Sequence, residues 1–399
     1  MKISDWFHCI CKNTRLFCLL VFLLSCKEEK KQLPTINIVT HQELSWQEKL
    51  PCTIEYTDPH ETAVLPAEIK FRGGMSSRYF KHSFSLELDK KYPMAGLPKD
   101  DDWILNADYI DKTMMRHNIS YDIFREMDDR NVAAKSAYFH LSVDSVYEGL
   151  YLIMEEVNGA MVGLNKKDTM AMLFKDPSIF FRETLPYVQD STNYYQQKFP
   201  KLKRRDQTNY IERFRNFMFD SSDRDFANEI GNWVDIQNVI DWHIMLLFSN
   251  NDDGVSKNFY LYKLDAETPF RFAIWDYDHA YGRDGDNERN MMERPVNIDR
   301  AILLTRLLAI PQTEYIPKLR KRWFELRERD VISVENFEKH IQKNDAIIRD
   351  EVPRNVERWP VDEEWYYDEN TYEEELELMR EYMQMRIPQL DQYFHDLSY

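Results

Sequence analysis

The residues best suited to chemistry lie in Asn250-Asn251-Asp252-Asp253-Gly254-Val255-Ser256-Lys257-Asn258 and in Ile274-Trp275-Asp276-Tyr277-Asp278. Carboxylate and amide oxygens are the ligands that hard divalent cations prefer, and a carboxylate can also accept a proton from an attacking hydroxyl. Asp253, Asn258, Asp276 and Asp278 therefore suit metal-assisted phosphoryl transfer. Two alternating apolar segments, 259–264 and 270–275, flank the short loop 265–269 and predict a β-hairpin between the two polar clusters. Pairing Leu264 with Phe270 places Asn258 opposite Asp276, where Cβ atoms come within about 5.5 Å and can share one ion. The bland alternative is a polar turn with a capping aspartate.

Asp253 precedes Asn258 by five residues, the spacing of the protein-kinase catalytic loop, and Asp276 stands where the metal-binding aspartate of the D-F-G motif would. Asp278, two residues on, faces the same side if the strand continues. Asp252 competes with Asp253 for the role of base, and the spacing to Asn258 favours Asp253. His243 reads as a core histidine. His279 lies beside the cluster but has no second histidine nearby to make a zinc site.

The elements that must position these groups follow from periodicity. From Leu33 to about Asp89 the chain reads as strands; Phe84, Leu86 and Leu88 alternate with polar residues. Asp111 to Met127 is expected to be a helix with Asp111 as its N-cap and Arg116 as a structural ion-pair arginine. Phe139 to Met154 reads as a hairpin turning at Asp144-Ser145. The segment 194–248 is expected to be mainly helical. Its basic patch at Lys201, Lys203, Arg204 and Arg205 is read as a solvated face. The last helix places Tyr372, Leu376, Met379, Met383, Ile387, Leu390 and Phe394 at spacings of three and four.

Composition narrows the classes. The 399 residues carry 69 acidic and 52 basic side chains, a net charge of −17, which argues against nonspecific nucleic-acid binding. With 10 glycines, 16 prolines and 14% aromatics, collagen-like and disordered classes are excluded. Four of the five cysteines (Cys9, Cys11, Cys18 and Cys26) fall in the first 26 residues, around an apolar run suited to a signal peptide. Leu23-Leu24-Ser25-Cys26 resembles the bacterial lipobox. On that resemblance Cys26 is acylated after removal of 1–25, residues 26–32 form a tether, and Cys52 is left without a disulfide partner. Cys26-Lys27-Glu28-Glu29 resembles the charged signal of Bacteroidetes surface lipoproteins. The expected location is a lipid-anchored protein at the outer membrane or cell surface.

Five segments in order resemble the CotH kinase family, the spore-coat-protein-H-like atypical protein kinases. They are Phe71 to Arg78 with Lys81, Trp103 to Asn118, Gly149 to Glu155, Asn251 to Tyr262, and Ile274 to Gly282. The resemblance implies a reduced kinase-like fold that binds ATP with Mg²⁺ or Mn²⁺ and phosphorylates protein serine or threonine. It implies that Arg72, Gly73, Ser76, Ser77 and Arg78 form a loop over the nucleotide phosphates, with Lys81 pairing with phosphate. Asp253 would be the base; Asn258, Asp276 and Asp278 would hold the metal. Glu155 would end a hinge-like strand and Lys175 would line the pocket. The sequence departs from the family's Arg-Gly-Asn at Gly74.

The expected architecture is α+β and atypical protein-kinase-like. A β-rich N-terminal lobe (33–160) carries the phosphate loop, and a mainly helical C-terminal lobe (161–399) carries the catalytic hairpin, 250–282. The expected function is transfer of the γ-phosphoryl group of ATP to an unidentified protein. A surface binding or adhesion module of the same fold is the alternative, and a phosphohydrolase or nucleotidyl transferase a weaker one.

Overall fold

Seven strands close the N-terminal part of the chain into a barrel: β1 (Thr35–Val39), β2 (Leu50–Thr57), β3 (Thr62–Arg72), β4 (Ser83–Tyr92), β5 (Asp100–Asn106), β6 (Ser136–Val143) and β7 (Val146–Glu155). The computed structural model describes residues 32–182, 191–283, 291–292, 294–360 and 370–399. The expected signal peptide, Cys26 and the tether up to residue 31 lie outside the described residues. Around the barrel the order is β1-β2-β3-β4-β5-β7-β6, antiparallel except where β6 returns parallel to β1 and closes it. Closure removes the exposed edges that an open sheet must protect.

The expected alternation places Phe84, Leu86 and Leu88 inside the barrel beside Ile38, Ile54, Trp103 and Leu141. In β7, Tyr151 and Ile153 point into the same core, whereas Leu150, Leu152 and Met154 join the larger core of the C-terminal part. Burial on both faces explains why 146–154 reads as a nearly continuous apolar run. At the β6–β7 turn, Asp144 and Ser145 both take positive φ (47° and 68°), the geometry that matches strand twist in a two-residue hairpin.

Between β5 and β6 in sequence lies α1 (Arg116–Met127). It begins five residues later than expected, because Met114 takes a left-handed φ of 55° that no α-helix accommodates. Asp111 accordingly precedes the helix, and its carboxylate accepts the backbone N–H groups of Thr113 and Arg116 at 3.0 and 2.9 Å.

The C-terminal part has a four-stranded sheet of β8 (Met172–Lys175), β9 (Gln197–Phe199), β10 (Phe259–Lys263) and β11 (Arg271–Ile274), ordered β11-β10-β8-β9. Helices α2 (Thr208–Asp220), α3 (Asp223–Trp233) and α4 (Ile236–Ser249) come between β9 and β10. After β11 come α5 (Ile302–Ala309), α6 (Tyr315–Glu328), α7 (Val334–Ile348), α8 (Val352–Arg358) and α9 (Tyr372–Asp396). The helix α4 packs on the sheet through Trp242, which stacks on Phe272 with ring centres 4.3 Å apart. The seven apolar residues expected on one face of α9 are all buried, and Thr371 with Glu374 forms a capping box at its start. The chain is thus α+β, β-rich at its N-terminal end and mainly helical at its C-terminal end. No helix among the described residues is long and apolar enough to cross a membrane.

The β10–β11 register differs from the expected one by a single residue. Phe259 pairs with Ile274, so Asn258 lies across from Trp275 rather than Asp276. Phe270 is not available to Leu264, because its backbone bridges to the end of α3: its N–H donates to Trp233 O at 2.8 Å, and its carbonyl accepts from Asp235 N at 2.9 Å. The polar turn 264–268 closes instead on the Thr268 hydroxyl, which accepts the N–H groups of Leu264 and Asp265.

Candidate active site

A one-residue slip should turn Asn258 and Asp276 to different faces. They meet nonetheless, because both leave the strands with a left-handed φ of 60°. Such a backbone is costly for a residue other than glycine and persists only where its surroundings hold it. Asp276 is held at both ends of its peptide unit. Its N–H donates to the hydroxyl of the fully buried Tyr121 at 3.0 Å, and its carbonyl accepts the side-chain amides of Asn258 at 3.1 Å and Asn251 at 3.3 Å. The Asn251 carbonyl oxygen also accepts the Gly254 N–H at 2.8 Å, which ties the turn carrying Asp253 to the same support. The amide NH₂ of Asn258 is thereby committed, and its oxygen is left to act as a ligand.

The pinned backbone directs the Asp276 carboxylate at a residue that the sequence did not single out. His117, at the start of α1, places Nε2 3.4 Å from Asp276 Oδ1, while its Nδ1 stands 3.1 Å from Asp108 Oδ1. Nitrogen and carboxylate oxygens of His117, Asp276 and Asp278 all lie within 4.8 Å of one another. The His117 and Asp108 side chains are 4% and 3% exposed, whereas that of Asp276 is 50% exposed, so the cluster is closed behind and open in front.

Burial alone would raise the Asp276 carboxyl, but the His117 hydrogen bond and the charges of His117, Lys175 and Arg72 hold it well below the usual carboxylate range. The Asp278 carboxyl is pushed up to about 6 by burial and by the neighbouring charge of Asp276. A carboxyl raised by burial and by a neighbouring carboxylate is one whose ionised form a cation would stabilise. Two carboxylates and an imidazole at these separations fit a divalent ion.

Cationic groups gather near Asp276. The Arg72 guanidinium and the Lys175 ammonium each lie 5.6 Å from the centre of the Trp275 ring, and Lys175 lies 5.8 Å from that of Tyr260. Burial and the adjacent Arg72 charge lower the Lys175 pKa. Lys257 forms an ion pair of 2.9 Å with Asp253, whose side chain is 34% exposed. Asp252, by contrast, is committed to structure: it pairs with Arg300 at 2.8 Å and accepts the Asn297 N–H at 2.8 Å.

The remaining expected nucleotide contacts are more dispersed. Gly73, Gly74, Ser77 and Arg78 are exposed around the short 3-10 turn Met75–Arg78. Gly73 has a φ of 134°, and a Cβ there would meet the Ser76 Oγ at 2.2 Å, so the turn depends on that glycine. The Glu155 carboxylate accepts the Lys135 N–H at 2.8 Å. Lys81 is 2% exposed, lies against the Tyr151 ring, and donates to the carbonyls of Ala107 and Leu150. It lines a cavity of about 560 Å³ with Tyr109, Lys112 and Trp359 that meets the acidic cluster through Asp108. The lysine beside Asp276 is therefore Lys175, at the end of β8. His243 is fully buried, hydrogen-bonded to the Tyr315 hydroxyl, and far from any role that needs solvent.

His117 and Asp108 escaped sequence reasoning because the phase of a helix says nothing about a partner 159 residues away. Arg116, beside them, drew attention for its charge and is the structural ion-pair residue expected.

The family model of the CotH kinase protein matches residues 69–389, from β3 and the 72–78 turn to α9. The inner spore coat protein H of Bacillus subtilis (strain 168) is 23% identical over 227 residues, which make up 56% of this chain. The chain spans 61% of the length of that relative. With a match that runs through the loop, the hairpin and both acidic segments, the chain belongs to the CotH kinase family.

Proposed function

We propose that this cleft transfers the γ-phosphoryl group of ATP to a serine or threonine hydroxyl of a protein, within a kinase-like fold anchored by a lipid on Cys26 at the outer membrane or cell surface. The reading is carried by one observation: the Asp276, Asp278 and His117 ligand atoms converge beside two cations, Arg72 and Lys175, which pack on the neighbouring Trp275 ring and whose charges act on Asp276. Acidic ligands beside cations are what a metal-bound polyphosphate requires.

In this reading Arg72 and Lys175 bind phosphate oxygens and orient the transferable group. Trp275 and Tyr260 give them an apolar wall that excludes water and strengthens their charge. Asp276, Asp278 and Asn258 hold Mg²⁺ or Mn²⁺, which when bound neutralises phosphate charge. Asp253 accepts the proton of the acceptor hydroxyl, with Lys257 paired to its carboxylate. The turn 73–78 covers the phosphates, and Lys81, its ammonium on two backbone carbonyls, lines the adjoining cavity. A net charge of −17 favours a basic acceptor.

The test is transfer of label from γ-labelled ATP to the chain itself or to a casein-like acceptor, with Mg²⁺ or Mn²⁺, for the wild type, Asp253→Asn and Asp276→Asn. Each substitution should lower transfer by about 10²-fold or more, the scale of losing one charged group at a phosphoryl-transfer site. Wild-type transfer no greater than that of both variants, under either ion, would replace this reading by the surface-binding one.

A further inference from the structure

Three carboxylates, Asp108, Asp276 and Asp278, lie around the His117 imidazole, with His279 4.0 Å from Asp278 on the other side. A purely structural ion pair would not need the third acid, nor leave the front of Asp276 open.

The support behind the ring has the form found where histidine binds metal. A ligating histidine donates the N–H of its other nitrogen to a carboxylate, which fixes the tautomer and the ring plane. Here Asp108 Oδ1 stands 3.1 Å from Nδ1, a buried charge contact that is not aligned as a hydrogen bond. Asp108 is itself placed by a left-handed φ of 44° and by the Asn106 amide, which donates to it at 2.6 Å. Nε2 faces Asp276 Oδ1 and lies with the Asp276 and Asp278 carboxylates in one cluster. Its separation of 3.4 Å from Asp276 Oδ1 is near the ~3 Å between adjacent ligands of one octahedral ion. The Asp278 carboxylate is set in turn by the His279 N–H, which donates to it at 3.1 Å.

We infer that His117 is a nitrogen ligand of the cation held by Asp276 and Asp278, with Asp108 as its positioning residue, so that the site takes Mn²⁺ in preference to Mg²⁺. This rests on the reading that Asp276 binds metal. Imidazole suits transition metals, whereas Mg²⁺ keeps water and oxygen ligands, so a mixed nitrogen and oxygen set discriminates between the two ions.

Pulsed EPR of Mn²⁺ added to the full chain without nucleotide tests this directly. Nitrogen coupling to the ion is expected in the wild type, altered by ¹⁵N-histidine labelling, lost in His117→Gln and retained in His279→Gln. In competition between the ions, His117→Gln should lower the preference for Mn²⁺ over Mg²⁺ by about tenfold. Mn²⁺ binding that Asp276→Asn abolishes but that shows no histidine nitrogen in the wild type would overturn the role of His117 and leave the metal reading standing. If neither ion binds in a manner dependent on Asp276, both fall. The wild-type spectrum decides even if His117→Gln fails to fold.

Discussion

Arg116 and His117 are consecutive on α1, yet they enter two buried charge networks of opposite character. Arg116 donates to Asp111, to the Ala280 carbonyl and to Glu375, and Glu375 also receives Arg283 and the Asn370 amide. The side chains of Arg116, Asp111 and Glu375 are 0% exposed and that of Arg283 is 4% exposed. Among the described residues, two cations, Arg116 and Arg283, face two anions, Asp111 and Glu375. The neighbouring network sets the His117 and His279 imidazoles against Asp108, Asp276 and Asp278, and it opens to solvent at Asp276. A balanced and sealed network holds α1, the segment after β11 and α9 together, whereas an unbalanced and open one is fit to bind something that is not part of the chain.

The largest test of that contrast is Glu375→Ala. It leaves Arg116 and Arg283 buried without their carboxylate and should cost ~3–5 kcal/mol in denaturant unfolding. Asp276→Asn removes a charge that His117, Lys175 and Arg72 stabilise, but one that is half exposed and repels Asp278, and should cost less, ~1–2 kcal/mol, in the same assay. Equal losses in the two variants would break the distinction.

Lys81 sharpens it from a third side, as a buried cation held mainly by carbonyls. Burial lowers its pKa to about 7 from an ordinary 10.5, so the folded state releases the proton before the unfolded state does. Below pH 7 both states keep it and the full cost is present. Between about pH 7 and 10.5 only the unfolded state keeps it, so stability should rise with pH. The stability difference between wild type and Lys81→Met should shift by about 1.4 kcal/mol in favour of the wild type between pH 7.5 and 8.5. A flat difference would mean that Lys81 stays charged through its carboxylate neighbours.

The smallest effect separates adjacent aspartates. Asp252→Asn weakens a partly exposed pair with Arg300 and should cost about 0.5–1 kcal/mol while leaving phosphoryl transfer intact. Asp253→Asn should do the reverse. Transfer lost in Asp252→Asn and kept in Asp253→Asn would exchange their roles.

Local pattern was enough for the barrel strands, the β6–β7 turn and the apolar face of α9, because burial on one face imposes a period that any short window displays. It was not enough for the β10–β11 register. Phe270 is claimed by the end of α3 through backbone hydrogen bonds, and no window around the hairpin contains that competitor. The same limit applies at Asp111, where a left-handed Met114 delays the helix, and at Lys81, whose place before a strand does not reveal that its ammonium turns inward to two carbonyls.

What the sequence determined by itself was the short-range chemistry: Asp253 with Asn258, Asp276 with Asp278, and the arginine- and glycine-bearing turn at 72–78, each within a window that the backbone spans in one or two turns. Only the tertiary structure decided which of those groups share a site and with whom. Tyr121 and His117 reach Asp276 across 155 and 159 residues, and Lys175 reaches Trp275 from another strand of the sheet. Such contacts arise from packing one element on another, and packing depends on every residue in both faces rather than on the spacing within either.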